Sequence, residues 1–366
     1  MTETKELTIN FGPQHPSTHG VFRAEADVDG EVIKELRPTI GYLHRSIEKM
    51  AESRTYAQFI PVTDRLDYTS SASNNLAYCM AVEKLASIDV PERAQYLRMI
   101  AAELNRIASH LIAIMATGLD AGAMTVMFYT LREREKVLDI FEKLCGARLT
   151  YNYLRIGGVS TDLPSGLAEE ISDFVDYFMP KIDDYEKLFF ESRMFKQRAQ
   201  GVGVLTKEDA LSYGASGPVL RATGVNFDVR KASPYLVYDR IDFEVPLGKA
   251  GDSYERTILR IREMRQSGRI LKQAVKQIPE GPIAAEGVPR LLEPPPGEAY
   301  ARVESPRGEL GFFIVSDGTP FPYRLKIRSP AFSNLSTIEK IGIDCLIADF
   351  VVALGSLDPV FGEVDR

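Results

Sequence analysis

Between Thr63 and Cys145 the apolar residues recur at helical spacing with hardly a break, and this excludes most folds at once. In the middle of the stretch Leu97, Ile100, Leu104, Ile107, Leu111 and Met115 follow one another at three- and four-residue intervals, with Pro91 suited to a first helical turn. A preceding helix over 65–87 opens on polar residues, Asp67, Tyr68, Ser70, Ser71, Ser73, Asn74 and Asn75. A following one over 124–145 carries Met127, Phe128, Leu131, Leu138, Phe141 and Leu144, and Gly146 is its expected stop. Gly118-Leu119-Asp120-Ala121-Gly122 sets a carboxylate among small residues at the junction. The pattern predicts a core of at least three antiparallel helices.

Around that bundle the chain is mixed. Residues 7–10, 21–28 and 31–36 alternate as strands, the last two joined at Asp29-Gly30, and a helical region follows over 41–54. Further helices are expected over 164–190, from Thr206, and through Ile258, Ile261, Met264, Leu271, Val275 and Ile278. Asp252 and Glu255 have capping-box spacing before the last of these. Residues 214–249 read as a long ordered loop and 279–296 as a connector. Residues 310–315 and 322–327 form a second hairpin, and 335–354 a final helix. The expected class is α+β, predominantly helical, in three parts: 1–60, 61–290 and 291–366. With 366 residues, 45% of them hydrophobic, a substantial core is possible. A net charge of −7 argues against a general nucleic-acid surface. Cys79, Cys145 and Cys345 stand far apart without a CxxC, which offers neither a disulfide framework nor a thiolate metal site. Met1 to Glu6 lacks a signal-peptide pattern and no run of 18 apolar residues is evident. A soluble chain is the expectation, with docking on a membrane protein left open.

Chemistry concentrates in Asn10-Phe11-Gly12-Pro13-Gln14-His15-Pro16-Ser17-Thr18-His19-Gly20, which holds two of the four histidines. Pro13 and Pro16 fix φ, and Gly12 and Gly20 tolerate positive φ, so a shaped loop is expected. The prolines forbid a helical i, i+4 histidine pair, and a zinc hydrolase on His15 and His19 lacks a third ligand. A plain polar turn is the simpler alternative. His19, Tyr68 and Asp120 would make a proton-handling set if the fold joined them, since a carboxylate orients an imidazole, and imidazole and phenol each donate to oxygen. Taken singly, Tyr68 is explained as a half-buried core residue, Asp120 as a helix N-cap, and Arg45 as a partner of Glu48 or Glu52. His44 and His110 read as structural. Gly201-Val202-Gly203 is too short for a nucleotide loop, and Arg132 to Lys136 reads as a solvated or interface face.

Five ordered motifs then carry a resemblance that spans nearly the whole chain: the 11–20 loop, Gly41-Tyr42-Leu43-His44-Arg45, Arg65-Leu66-Asp67-Tyr68, Gly118 to Thr125, and the tail Asp358-Pro359-Val360-Phe361-Gly362-Glu363-Val364-Asp365-Arg366. Together they closely resemble the 49 kDa family, the D-type subunits, of respiratory complex I (NADH-quinone oxidoreductase). That family is similar to the large subunits of nickel-iron hydrogenases, which implies a hydrogenase-like helical bundle with a small N-terminal β region and a C-terminal hairpin. Where hydrogenases hold metal with two CxxC pairs, this chain has Asp67 with Ser70 and Val360 with Glu363. Without thiolates no nickel centre is expected.

The resemblance implies a quinone headgroup between His19 and Tyr68, Asp120 paired with the histidine, Val360 on the cavity wall, and His15 nearby. Electrons would come from an iron-sulfur cluster held by the B-type small subunit, with Arg45 lying against it. A C-type partner and an H-type partner in the membrane arm are the other implied neighbours. The expected place is the cytoplasmic side of the cell inner or plasma membrane. The implied activity is quinone reduction coupled to proton translocation. Alternatives are the same family member in a ferredoxin- or other-donor-linked complex, since nothing in the chain binds nicotinamide nucleotide, or a non-catalytic scaffold. One departure stands out: before Tyr-Asn-Tyr-Leu-Arg-Ile-Gly-Gly, where many members carry histidine, this chain has Thr150. Threonine does not titrate there, so a cluster potential nearly independent of pH is expected, with a lean toward a low-potential acceptor such as menaquinone.

Overall fold

A computed structural model describes residues 6–15 and 18–366; Met1 to Lys5, and Pro16 and Ser17 of the histidine loop, lie outside it. The chain opens with strands β1 (Glu6–Phe11), β2 (Gln14–His15), β3 (Gly20–Val21), β4 (Arg23–Asp29) and β5 (Val32–Thr39). β1, β4 and β5 form an antiparallel sheet in the order β1-β4-β5. Along β4 the alternation is strict: Ala24, Ala26 and Val28 are buried while Arg23, Glu25 and Asp27 face outward. The β4–β5 turn sits on Gly30 and Glu31, one residue later than expected, because Asp29 pairs with Val32 across a bulge at Asp27/Val28. The 11–20 segment is less loop-like than expected, since β2 and β3 pair across it.

Helices α1 (Ile47–Ala51), α2 (Tyr56–Thr63), α3 (Ser71–Ala86), α4 (Glu92–Asp120) and α5 (Met124–Cys145) follow. α1 is far shorter than 41–54, because Gly41 to Arg45 is held in extended and turn conformation by the C-terminal tail described below. α3 begins only at Ser71; its polar start is a turn around Asp67, whose carboxylate accepts from the Thr69 and Ser70 amides. α5 has the expected limits, closed by Gly146 at φ 75°. α4 is one unbroken helix of 29 residues, apolar and long enough to cross a membrane, yet 83% of its apolar window is buried by the rest of the chain. It is the central helix of the bundle.

Beyond it lie the pairs β6 (Leu154–Arg155) and β7 (Gly158–Val159), then α6 (Leu167–Tyr185), which runs into a π-helical turn at Glu186–Phe190, and α7 (Arg193–Ala199) and α8 (Lys207–Ser212). The expected 214–249 loop contains α9 (Gly217–Arg221), α10 (Val229–Ala232) and a 3-10 turn. α11 (Ser253–Gln277) is capped by Asp252, which accepts from the Glu255 amide; only this half of the expected capping box forms. The C-terminal sheet is a three-stranded meander, β8 (Gly297–Ser305), β9 (Gly308–Ser316) and β10 (Arg324–Arg328), rather than a hairpin. β8 begins just after the expected 279–296 connector, in a stretch for which no element is expected, although Ala299, Ala301 and Val303 alternate inward. The final helical region breaks into α12 (Pro330–Ser336), α13 (Ile338–Ile341), α14 (Ile347–Leu357) and α15 (Phe361–Asp365). One core fills the bundle and both faces of α3 and α4; a second joins Phe22, Ala24, Ala26, Val28 and Ile33 of the N-terminal sheet to Leu335, Phe350, Leu354 and Phe361. The chain's two ends therefore meet over the bundle.

Candidate functional site

His19 follows Thr18, whose hydroxyl donates to the carbonyls of His15 and Gly20 and so ties the end of the loop. The residue is left-handed, φ 59°, a conformation in which a histidine is uncommon. Its neighbours enforce it. Gly12 at φ 78° presses on the Phe22 carbonyl, and Gly20 lies against the Phe361 ring so closely that a Cβ would come within 2.6 Å of it. Phe361 in turn stacks on Phe22, centroids 5.5 Å apart.

So held, His19 Nε2 lies 2.8 Å from Asp120 Oδ2, with side-chain exposures of 12% and 8%. The approach is close enough for an ion pair but outside straight hydrogen-bond geometry, which leaves both atoms without a hydrogen-bond partner among the described residues. Asp120 is the last residue of α4, so the N-cap alternative does not apply. The third member of this contact is Gly355 of α14: a Cβ there would stand 2.2 Å from Asp120 Oδ2 and 2.9 Å from His19 Nε2. Leu119, Met124 and Phe128, around the same helix junction, are exposed apolar side chains.

Tyr68 sits in the turn before α3 and is 43% exposed, its hydroxyl raised by burial above the ordinary phenol range, against the opposing charge of Arg307. Next to it the buried Arg307 joins two motifs far apart in sequence. Nη1 donates to Asp67 Oδ2 at 2.6 Å and to Ser109 Oγ at 3.1 Å, Nη2 to Asp358 Oδ1 at 2.9 Å, and Nε to the Asp358 carbonyl at 2.9 Å. Asp358 caps α14, three residues beyond Gly355, so the Arg307 cluster and the His19–Asp120 pair are about one helical turn, roughly 5 Å, apart along that helix.

The tail closes the arrangement. The Asp365 carboxylate accepts from the Gly41 and Leu43 amides at 2.9 and 2.7 Å, and its carbonyl lies 2.7 Å from His44 Nδ1. Arg45 donates to the carbonyls of Arg65 (2.6 Å) and Gly362 (3.4 Å) rather than pairing with Glu48 or Glu52, which are taken by Lys326 and Arg324 and by Lys49. With Arg54 and Arg65 it lines an open, cationic cleft of about 770 Å³. Val360 is buried at the start of α15, and His15 is exposed on β2.

His19 and Asp120 are thus in contact, Tyr68 lies on the neighbouring cluster, and Arg45 bridges the Arg65 and Gly362 carbonyls, near enough for its charge to act on Tyr68. Arg307 and Gly355 escaped sequence reasoning. Arg307 lies in Ser305-Pro306-Arg307-Gly308, a tight-turn signature between strands, and a buried arginine in such a turn is identifiable only once β8 is recognised. Elsewhere, His110 is structural as expected: its Nε2 is 2.9 Å from Glu263, and burial holds it below the usual imidazole range. The 132–136 face is not solvated throughout, because Glu133 is buried against Arg132.

A family model described as the 49 Kd subunit of respiratory-chain NADH dehydrogenase matches residues 120–292 and 287–366. The chain is 51% identical over 364 residues to the second D-type subunit of the NADH-quinone oxidoreductase of Solibacter usitatus, covering 100% of this chain and 98% of that protein. It is 52% identical over 365 residues to the D-type NADH-quinone oxidoreductase subunit of Dehalococcoides mccartyi, with 100% and 99% covered. With the D-type subunit of Bacillus cereus it shares 50% of 366 residues, both chains being covered in full.

Proposed function

Because the chain belongs to the family of the 49 kDa subunit of respiratory-chain NADH dehydrogenase, the D-type subunits of NADH-quinone oxidoreductase, we propose that it forms the quinone-reducing site of a proton-translocating complex I. In this reading His19 and Tyr68 are the proton donors and Asp120 holds the histidine. The observation that carries it is the 2.8 Å His19–Asp120 contact, buried under Gly355 one helical turn from the Arg307 cluster that adjoins Tyr68.

Quinone reduction needs two electrons and two protons. The electrons come from an iron-sulfur cluster held by the B-type small partner, which docks on the face bearing Arg45. There a fixed guanidinium charge favours the reduced partner. This chain's residues supply the protons: His19, as imidazolium beside Asp120, to one oxygen, and the Tyr68 hydroxyl to the other. When His19 gives up its proton, Asp120 loses its counter-charge in a poorly solvated place. Relief of that imbalance is the step coupled to proton translocation in the membrane arm, with an H-type partner as the receiver and a C-type partner completing the peripheral arm. The exposed Leu119, Met124 and Phe128 beside Asp120 suit the approach of a lipid-soluble substrate from a membrane-side partner. His15 lies at the mouth of the site and Val360 behind its wall. The chain sits in the peripheral part of the complex, on the cytoplasmic side of the inner or plasma membrane.

The test is quinone-analogue reduction by the membrane complex, purified through a tag on this chain, with Tyr68→Phe and spectroscopic monitoring of the partner's cluster. Turnover lost with the cluster still reducible supports the assignment; unchanged turnover removes Tyr68 from the site.

A further inference from the structure

Glu363 is the one carboxylate of the tail with no role so far. It lies on α15, is 1% exposed, and both carboxyl oxygens are buried without a hydrogen-bond partner among the described residues. The surrounding elements supply no free countercharge. From the 64–70 turn comes Asp67, a like charge, and from the β8–β9 turn comes Arg307, whose three nitrogens are already engaged by Asp67, Ser109 and Asp358. After β10 comes Arg328, bound to the Ser216 hydroxyl and to the carbonyls of Glu309 and Gly214. α12 presents the Ala331 amide, outside hydrogen-bond geometry. Within α15 itself Asp365 is committed to Gly41 and Leu43, and Arg45, beside Gly362, is committed to main-chain carbonyls. Asp358, the remaining carboxylate of the cluster, is shared between Arg307 and Arg260, the latter 3.9 Å away. A third buried carboxylate beside one saturated guanidinium is stable only as the neutral acid.

Gly362, next to Glu363, packs directly on the turn that carries Tyr68, since a Cβ there would stand 2.6 Å from the Leu66 carbonyl oxygen and 2.9 Å from that of Arg65, and Arg307 binds Asp67 just before Tyr68. We propose that Glu363 holds a proton in the resting protein and returns it to Tyr68 after Tyr68 has protonated the quinone; this rests on the site assignment made above. The step balances without a co-reactant. Tyr68 loses its O–H proton to the quinone oxygen and is left as tyrosinate. The Glu363 O–H bond then breaks and the Tyr68 O–H bond re-forms, leaving a Glu363 carboxylate that takes a proton from water before the next turnover. Arg307 feels the charge of both residues, so it stabilises whichever anion is present. The direction is downhill. Burial and the Asp67 charge push the Glu363 carboxyl up to about 8, while Tyr68 is shifted upward from an already weaker acid, so tyrosinate is the stronger base.

The test uses the assembled complex and three variants, Glu363→Gln, Asp67→Asn and Tyr68→Phe. Infrared spectroscopy of the resting complex should show a protonated carboxyl stretch that is absent from Glu363→Gln; an unchanged spectrum overturns the proposal. Turnover of the native complex should fall as pH rises through about 8. Glu363→Gln should lower turnover at least tenfold and remove that limb, with the partner's cluster still reducible. Native turnover and an unaltered pH profile in this variant overturn the proposal even if Tyr68→Phe is inactive. Full activity of Tyr68→Phe instead overturns the site assignment. Should Glu363→Gln fail to assemble, Asp67→Asn decides: removing the like charge and freeing Arg307 should move the limb to lower pH, and an unmoved limb refutes the proton-holding role.

Discussion

Gly355→Ala gives the sharpest test of how the site is held. By helix propensity alone the change favours α14 by about 1 kcal/mol. The added Cβ, however, would stand 2.2 Å from Asp120 Oδ2, where an ordinary carbon–oxygen contact needs roughly 3.3 Å. The carboxylate must therefore retreat by about 1 Å. For an imidazolium–carboxylate pair starting at 2.8 Å, an effective dielectric of about 20 gives an attraction of about 6 kcal/mol, and retreat to about 3.8 Å leaves about 4.4 kcal/mol. The difference of about 1.5 kcal/mol corresponds to roughly tenfold, and misplacement of the donor itself can extend the loss to about a hundredfold. Quinone-analogue reduction should accordingly fall about 10- to 100-fold, while assembly and thermal melting stay close to native. Because the Cβ acts through the pair, adding Gly355→Ala to Asp120→Asn should cost little more than Asp120→Asn alone. Native turnover in Gly355→Ala, or full additivity in the double variant, refutes the view that α14 sets the geometry of His19 and Asp120.

Two further outcomes follow from the same geometry. Asp120→Asn keeps the shape of the site but removes the charge left uncompensated when His19 donates, so electron transfer to quinone should persist in part while proton translocation in vesicles falls more steeply; equal losses count against the coupling role. Thr150, half-buried and at φ 52°, offers no titrating group at the position where the family resemblance implies a histidine, so the potential of the partner's cluster should barely change with pH around 7. A carboxyl able to give a residual slope is Asp64, buried without a hydrogen-bond partner among the described residues and lifted by burial to about 6. Protonation of that group as pH falls through about 6 removes a negative charge and should raise the potential in the acid range, and Glu363, lifted to about 8, adds a rise only as pH falls through that value; a steep slope centred near pH 7 in a redox titration contradicts this.

The bundle was legible because helices write their packing into local spacing: the Leu97 to Met115 stripe and the Gly146 stop place α4 and α5 with nearly their observed limits. What failed was decided by partners distant in the chain. The 41–54 helix shrinks because Asp365, more than three hundred positions away, binds the Gly41 and Leu43 amides that a helix would have used. The Asp67 turn likewise replaces the first turns of α3, since its carboxylate satisfies local amides and Arg307 together. The site shows the same division. His19, Tyr68, Asp120 and Arg45 stand out only because five motifs together carry the family resemblance, for Tyr68, Asp120 and Arg45 taken singly each have a plain structural explanation. Arg307 and Gly355 do not, because an arginine in a hairpin turn and a glycine in an apolar helix are each unremarkable until the ends of the chain are brought together, and Glu363, although it stands in the tail motif where hydrogenases carry a thiolate, shows its lack of countercharge only in the fold. Their common property is burial without local compensation. Arg307 has two acidic partners from opposite ends of the sequence, Gly355 has room for no side chain, and Glu363 has no countercharge left to share. Loss of Arg307 would leave Asp67 buried without its cation and Asp358 with Arg260 alone, 3.9 Å away. The residues that tie the motifs together are thus the ones whose chemistry depends most on tertiary structure, and in the proposed reaction it is proton return to Tyr68 that would draw on it.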